Sequence, residues 1–127
     1  MSFAFNPRSG LILVSAQLEG PSGTGTLRLA LDTGATTSLV NIGILVAVGY
    51  DPALAPGPVQ VTTGSGIDFA PRIVVSRLKA LGREQRAFPV LGHTLPPSAG
   101  VDGLIGLDFL RGRSLTIDFR TGRITVA

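Results

Sequence analysis

Seventeen glycines and nine prolines are spread through 127 residues with no fixed period. Both residue types interrupt regular helix, so a chain punctuated this densely builds short strands and tight loops. Between the breaks the sequence is 44% hydrophobic and only 15% charged. That balance supports a packed core and is the reverse of a disordered segment. The mass of 13.1 kDa suits one domain, expected to span residues 1–127.

Several chemistries drop out on composition. The chain has no cysteine, which removes disulfides, thiolate metal sites and cysteine nucleophiles. His93 is the single histidine, so a multi-histidine zinc site cannot form within one chain. Nothing in the sequence calls for a metal or a cofactor. Basic residues outnumber acidic ones by 11 to 8. The cations are scattered, apart from Arg111, Arg113, Arg120 and Arg123, and stacking aromatics are scarce, so no nucleic-acid partner is expected. Met1 to Gly10 lacks a basic start followed by an apolar run. The uncharged stretch Thr33 to Tyr50 opens on Thr33, Thr36, Thr37, Ser38 and Asn41 and makes a poor membrane span. The expectation is a cytoplasmic protein or a domain of a longer one, with no membrane partner.

Alternation places Ile12, Val14, Ala16 and Leu18 on one face of a strand over 11–19. A turn over Gly20 to Gly25 leads to a returning strand, Leu27 to Leu31. Asn41 is suited to cap a short helix over 42–48, closed by Gly49. Val59 to Thr63 and Ile67 to Phe69 form a hairpin with Gly64-Ser65-Gly66 at its tip. A second hairpin joins 73–81 to 85–91 through Gly82. After a proline-rich loop come a short strand at Leu104-Ile105 and a helical turn at 107–110. A last hairpin pairs 115–119 with 123–126. The sum is a mainly β chain with one or two short helices, closed or partly closed as a small barrel.

Gly20-Pro21-Ser22-Gly23-Thr24-Gly25-Thr26 imitates a phosphate-binding loop. That motif needs lysine after its last glycine and a helix beyond it. Here Thr26 holds the lysine position and the next residues alternate with period two, so the segment reads as a hairpin turn.

Chemistry concentrates in Leu29-Ala30-Leu31-Asp32-Thr33-Gly34-Ala35, where an apolar strand delivers one carboxylate into a turn of small residues. About seventy positions later comes Gly103-Leu104-Ile105-Gly106, ahead of the helical turn. The glycine-tipped hairpin lies between them. This ordered set resembles the retropepsin-type aspartic proteases, the single-lobe family of retroviral proteases and their cellular and bacterial relatives. The likeness runs from about Leu11 to Phe119.

The resemblance implies a closed barrel of the acid-protease type, one lobe per chain, and an endopeptidase that cuts extended peptide or protein substrates. It gives Asp32 the catalytic role, with a second copy supplied by a homodimer. Two like charges in contact cannot both ionise, so such a pair shares one proton while it activates water. Thr33 would brace the pair across the twofold axis, Gly34 would line the cleft, and Ala35 would complete the active-site loop. Thr63, Gly64, Ser65 and Gly66 would form a flap over the substrate. Gly103, Leu104, Ile105 and Gly106 would support the Asp32 loop from beneath.

The chain departs from the retroviral pattern at one pair. Retroviral members carry Asp after the first motif and Arg after the second, whereas this chain has Thr36 and Leu107. Asp108 is expected instead to accept hydrogen bonds from Thr36 or Thr37. Asp102 reads as a turn former and His93 as a solvated or locally bonded loop residue. The rival to an enzyme is a peptide-binding or dimerisation module that keeps the fold without catalysis. A small nucleic-acid-binding barrel ranks behind both for want of stacking aromatics.

Overall fold

The computed structural model describes residues 1–63 and 66–127. In chain order the strands are β1 (Ser2–Ala4), β2 (Leu13–Gly20), β3 (Gly23–Leu31), β4 (Leu39–Asn41), β5 (Val59–Thr63), β6 (Gly66–Ala70), β7 (Arg72–Ala80), β8 (Arg83–His93), β9 (Gly103–Ile105), β10 (Leu115–Asp118) and β11 (Arg123–Val126). Two short helices, α1 (Ile42–Ala47) and α2 (Leu107–Leu110), complete the regular elements together with single turns of 3-10 helix at Pro52–Leu54 and Pro97–Ala99. No helix among the described residues is long and apolar enough to cross a membrane.

Six strands close a barrel in the order β2-β3-β9-β4-β8-β7. Period-two patterning builds its interior: Val14, Ala16 and Leu18 of β2 face Leu27 and Leu29 of β3, all buried. Each large aliphatic side chain removed from water in this way contributes about 1.5–3 kcal/mol before entropy is counted. Phe88 and Phe109 meet edge to face with centroids 5.6 Å apart, which fastens α2 to the barrel wall.

Local chemistry explains the connections. The β2–β3 turn is tighter than expected, because Gly20 pairs with Gly23 and Gly25 lies within β3. Only Pro21 and Ser22 turn the chain. The β7–β8 loop is the two residues Leu81 and Gly82, at φ +53° and +71°. Paired positive φ values match the right-handed twist of the flanking strands, and glycine accepts its value without strain. Asn41 caps α1 as expected, its side chain accepting from the Gly43 amide at 3.1 Å.

The middle of β7–β8 departs from simple alternation. Ala87 sits at φ +48°. The Ser76 amide donates to the Tyr50 hydroxyl at 2.7 Å, and that hydroxyl donates to the Glu19 carbonyl at 2.8 Å. One phenol therefore bridges the backbone of β7 to that of β2.

Outside the barrel, β1, β11 and β10 form a three-stranded antiparallel sheet. The strand β1 has no counterpart in the sequence reading; only three residues long, it pairs Ser2 to Ala4 with Thr125 to Arg123. The hairpin β5–β6 stands as its own two-stranded sheet, with Val59 opposite Ala70 and Thr63 opposite Gly66.

Candidate active site

The strand β9 lies between β3 and β4. It runs parallel to β3, with Leu31 opposite Ile105, and antiparallel to β4, with Val40 opposite Gly103. This insertion brings the two sequence motifs together. Gly103 is required here because a side chain would strike the Leu39 carbonyl oxygen. Gly106 is required because a Cβ would lie 2.8 Å from the Ala35 carbonyl oxygen. Leu104 and Ile105 supply the rest of the support, Ile105 fully buried and Leu104 half-buried.

The Asp32 loop rests on this strand along its length. The Asp32 amide donates to the Ile105 carbonyl at 2.9 Å, and the Leu107 amide donates to the Ala35 carbonyl at 2.8 Å. The Asp32 carboxylate accepts from the Gly34 amide at 2.9 Å, which sets its direction within the turn. The Ala35 amide closes the turn on the Asp32 carbonyl at 3.2 Å. Asp32 and Ala35 are half-buried, while Thr33 and Gly34 are exposed at the tip. A carboxylate that is oriented yet reachable is the condition for acid–base work.

Beside the loop lies a cleft of about 490 Å³. Asp32, Gly34, Thr36 and Thr37 line it together with Leu39, Leu91 and Leu104 and with Val59 and Val61 of β5. The predicted hairpin thus shares a cleft with the predicted carboxylate. Thr63 and Gly66 end its two strands, and Gly66 has φ +129°. Gly64 and Ser65, the other expected flap residues, lie outside the described residues.

Asp108 behaves differently from expectation. Its carboxylate bonds Ser38 and not Thr36 or Thr37. The Ser38 amide donates to it at 3.0 Å and the Ser38 hydroxyl at 2.7 Å. The reason is burial: Ser38 is fully enclosed, so its polar atoms need partners, whereas Thr36 is exposed to water. Sequence reasoning missed Ser38. The available signal was a hydroxyl placed directly before the apolar pair Leu39-Val40.

The remaining candidates separate from the cleft. The Asp102 carboxylate accepts from the Arg28 amide at 2.8 Å, so it ties strands together as a turn residue does. His93 closes on its own loop, Nδ1 lying 2.9 Å from the Thr94 carbonyl, and its Nε2 lies 3.3 Å from an Asp68 oxygen on β6. The Phe69 amide, then His93, hold the Asp68 carboxyl below its ordinary value. Among the described residues no cluster of three or more ligating side chains is placed to hold a metal ion.

The comparisons with known proteins agree with this architecture. The family model described as "gag-polyprotein putative aspartyl protease" matches residues 22–112, which includes both glycine motifs and the hairpin between them. No curated protein matches the chain. The crystal structure of a retropepsin-like aspartic protease from Rickettsia conorii superposes with a TM-score of 0.74 at 17% identity, covering 99% of this chain and 88% of that one. A closed six-stranded barrel, a strand threaded under an Asp-Thr-Gly loop and a match over most of its length place this chain in the gag-polyprotein aspartyl protease family, with a retropepsin-like fold.

Proposed function

We propose that the protein is an aspartic endopeptidase whose active site is completed by a second copy of the chain. The observation that carries this reading is Asp32 itself, held by the Gly34 amide at 2.9 Å on the wall of a cleft of about 490 Å³. Each chain offers one such carboxylate. Placing two loops about a twofold axis brings two copies of Asp32 together, one ionised to take a proton from water and one protonated to polarise the scissile carbonyl. The exposure of Thr33 and Gly34 supports this, since both would be covered by the partner loop.

Val59 and Val61 line the cleft from β5. The hairpin 59–70, including the flap positions Thr63, Gly64, Ser65 and Gly66, would close over an extended peptide and bond its backbone by strand addition. Leu39, Leu91 and Leu104 favour apolar side chains next to the cut. Residues 1–127 act as one domain in this reading, in the cytoplasm.

Asp32→Asn tests the assignment. The amide oxygen still accepts from Gly34, so the loop keeps its shape while the ionisable group is gone. Cleavage of an internally quenched peptide library should fall to background with the circular dichroism spectrum unchanged. Cleavage retained by the purified variant would remove Asp32 from the mechanism and leave a peptide-binding module.

A further inference from the structure

Ser38 is the one polar side chain fully buried among the described residues. Its surroundings use every polar atom it has. The Gly106 amide donates to the Ser38 hydroxyl oxygen at 3.0 Å, and that hydroxyl donates onward to Asp108 at 2.7 Å. The Ser38 amide donates to both Asp108 oxygens at 3.0 Å, and the Leu91 amide donates to the Ser38 carbonyl at 3.0 Å. Asp108 also accepts from the Phe109 amide at 2.9 Å. Only donors are aimed at this carboxylate in these contacts, so it serves here as an acceptor.

These bonds lie where the Asp32 loop ends. At its start the loop is fixed by the Asp32 amide on Ile105, in its middle by the Ala35 carbonyl on Leu107, and at Ser38 by this relay. The chain Gly106 N–H, Ser38 O–H, Asp108 carboxylate joins the far end of the loop to both β9 and α2. Each bond polarises the next, and the burial of Ser38 keeps water from competing for its hydroxyl. A carboxylate that must meet a scissile bond within a fraction of an ångström needs such support from outside its own turn.

We infer that Ser38 and Asp108 are positioning residues for Asp32, a relay that anchors the far end of its loop. This inference rests on the proposed role of Asp32. Its structural half, that the relay holds the loop still, does not.

The test compares Ser38→Ala, Asp108→Asn and the pair with Leu18→Ala, a core cavity in β2 remote from the loop. All are assayed with a quenched peptide that the wild type cleaves. Ser38→Ala and Asp108→Asn should each lower kcat at least about tenfold with KM changed less than about threefold, as expected when geometry and not binding is lost. The double variant should be no worse than the poorer single one, because both cut the same relay. Ser38→Thr, which keeps the hydroxyl, should recover most of kcat.

Hydrogen exchange supplies the second readout. The Gly34 and Ala35 amides should exchange faster in Ser38→Ala than in Leu18→Ala at equal loss of Tm. Should Ser38→Ala fail to fold, Asp108→Asn carries both comparisons. A kcat per folded molecule that is unchanged, or that falls equally in Leu18→Ala, overturns the inference. If the wild type cleaves nothing, the proposed function falls instead, and exchange alone decides whether the relay orders the loop: equal rates in Ser38→Ala and Leu18→Ala overturn it.

Discussion

Asp102 and Arg28 exchange two hydrogen bonds: the Arg28 amide donates to the Asp102 carboxylate at 2.8 Å, and the Asp102 amide donates to the Arg28 carbonyl at 2.8 Å. The Asp102 carbonyl in turn accepts from the Asn41 amide at 2.7 Å. One residue thereby fixes the entry of β9 between β3 and β4. Its carboxylate is committed to backbone and lies apart from Asp32. Asp102→Ala should therefore lower stability by about 1 kcal/mol, the ordinary worth of such a bond. Chemical denaturation measures that loss. Activity per folded molecule should remain, whereas a catalytic Asp102 would lose it entirely.

If each active site needs two copies of Asp32, intact chains mixed and exchanged with Asp32→Asn chains should lose activity as the square of the intact fraction. At one intact chain in two, about a quarter of dimers keep both carboxylates by random pairing across a symmetric interface. Specific activity should also fall on dilution towards the dimer dissociation constant. A linear dependence, after mass spectrometry confirms exchange, would mean that one chain suffices.

Gly103→Ala should be severe. The new methyl group meets the Leu39 carbonyl oxygen, which is backbone and cannot swing aside. Separating β4 from β9 would cost roughly 1–3 kcal/mol or more by overpacking alone. Thermal unfolding reads the effect directly, and an unchanged Tm would show that the three-strand contact is looser than described.

The turn at Asp118 gives a pH signature. The Thr121 and Arg120 amides, in that order, hold the Asp118 carboxyl below its ordinary value of 3.8. A depressed folded pKa means that the charged form stabilises the fold. The contribution is complete above pH 3.8 and disappears as pH falls below it through the folded value. Wild type should thus exceed Asp118→Ala in Tm at neutral pH, with the two curves converging in stronger acid. Parallel curves down to full protonation would contradict the assignment.

Alternation and turn residues were sufficient to read five of the six barrel strands, each burying one face in a single core, but not β4, which is only three residues long. The Asn41 cap and the Asp32 loop were legible for the same local reason. β1 was not, since three residues give no period and its pairing with β11 spans nearly the whole chain. The Asp108 partner was misassigned between neighbours one residue apart. Thr36, Thr37 and Ser38 offer the same hydroxyl chemistry, and only burial, a property of the assembled barrel, selects Ser38.

The position of β9 has a consequence for how the molecule comes into being. Leu31 and Leu39, at the two borders of the Asp32 loop, are joined through Ile105 and Leu104, some seventy residues downstream. Hairpins such as β2–β3 and β7–β8 close from local contacts and form early, whereas this junction must wait for distant chain to arrive. During synthesis the carboxylate loop therefore lacks its support until residues 103–105 have emerged. A loop ordered this way cannot hold its carboxylate in place while the strand beneath it is still to be made.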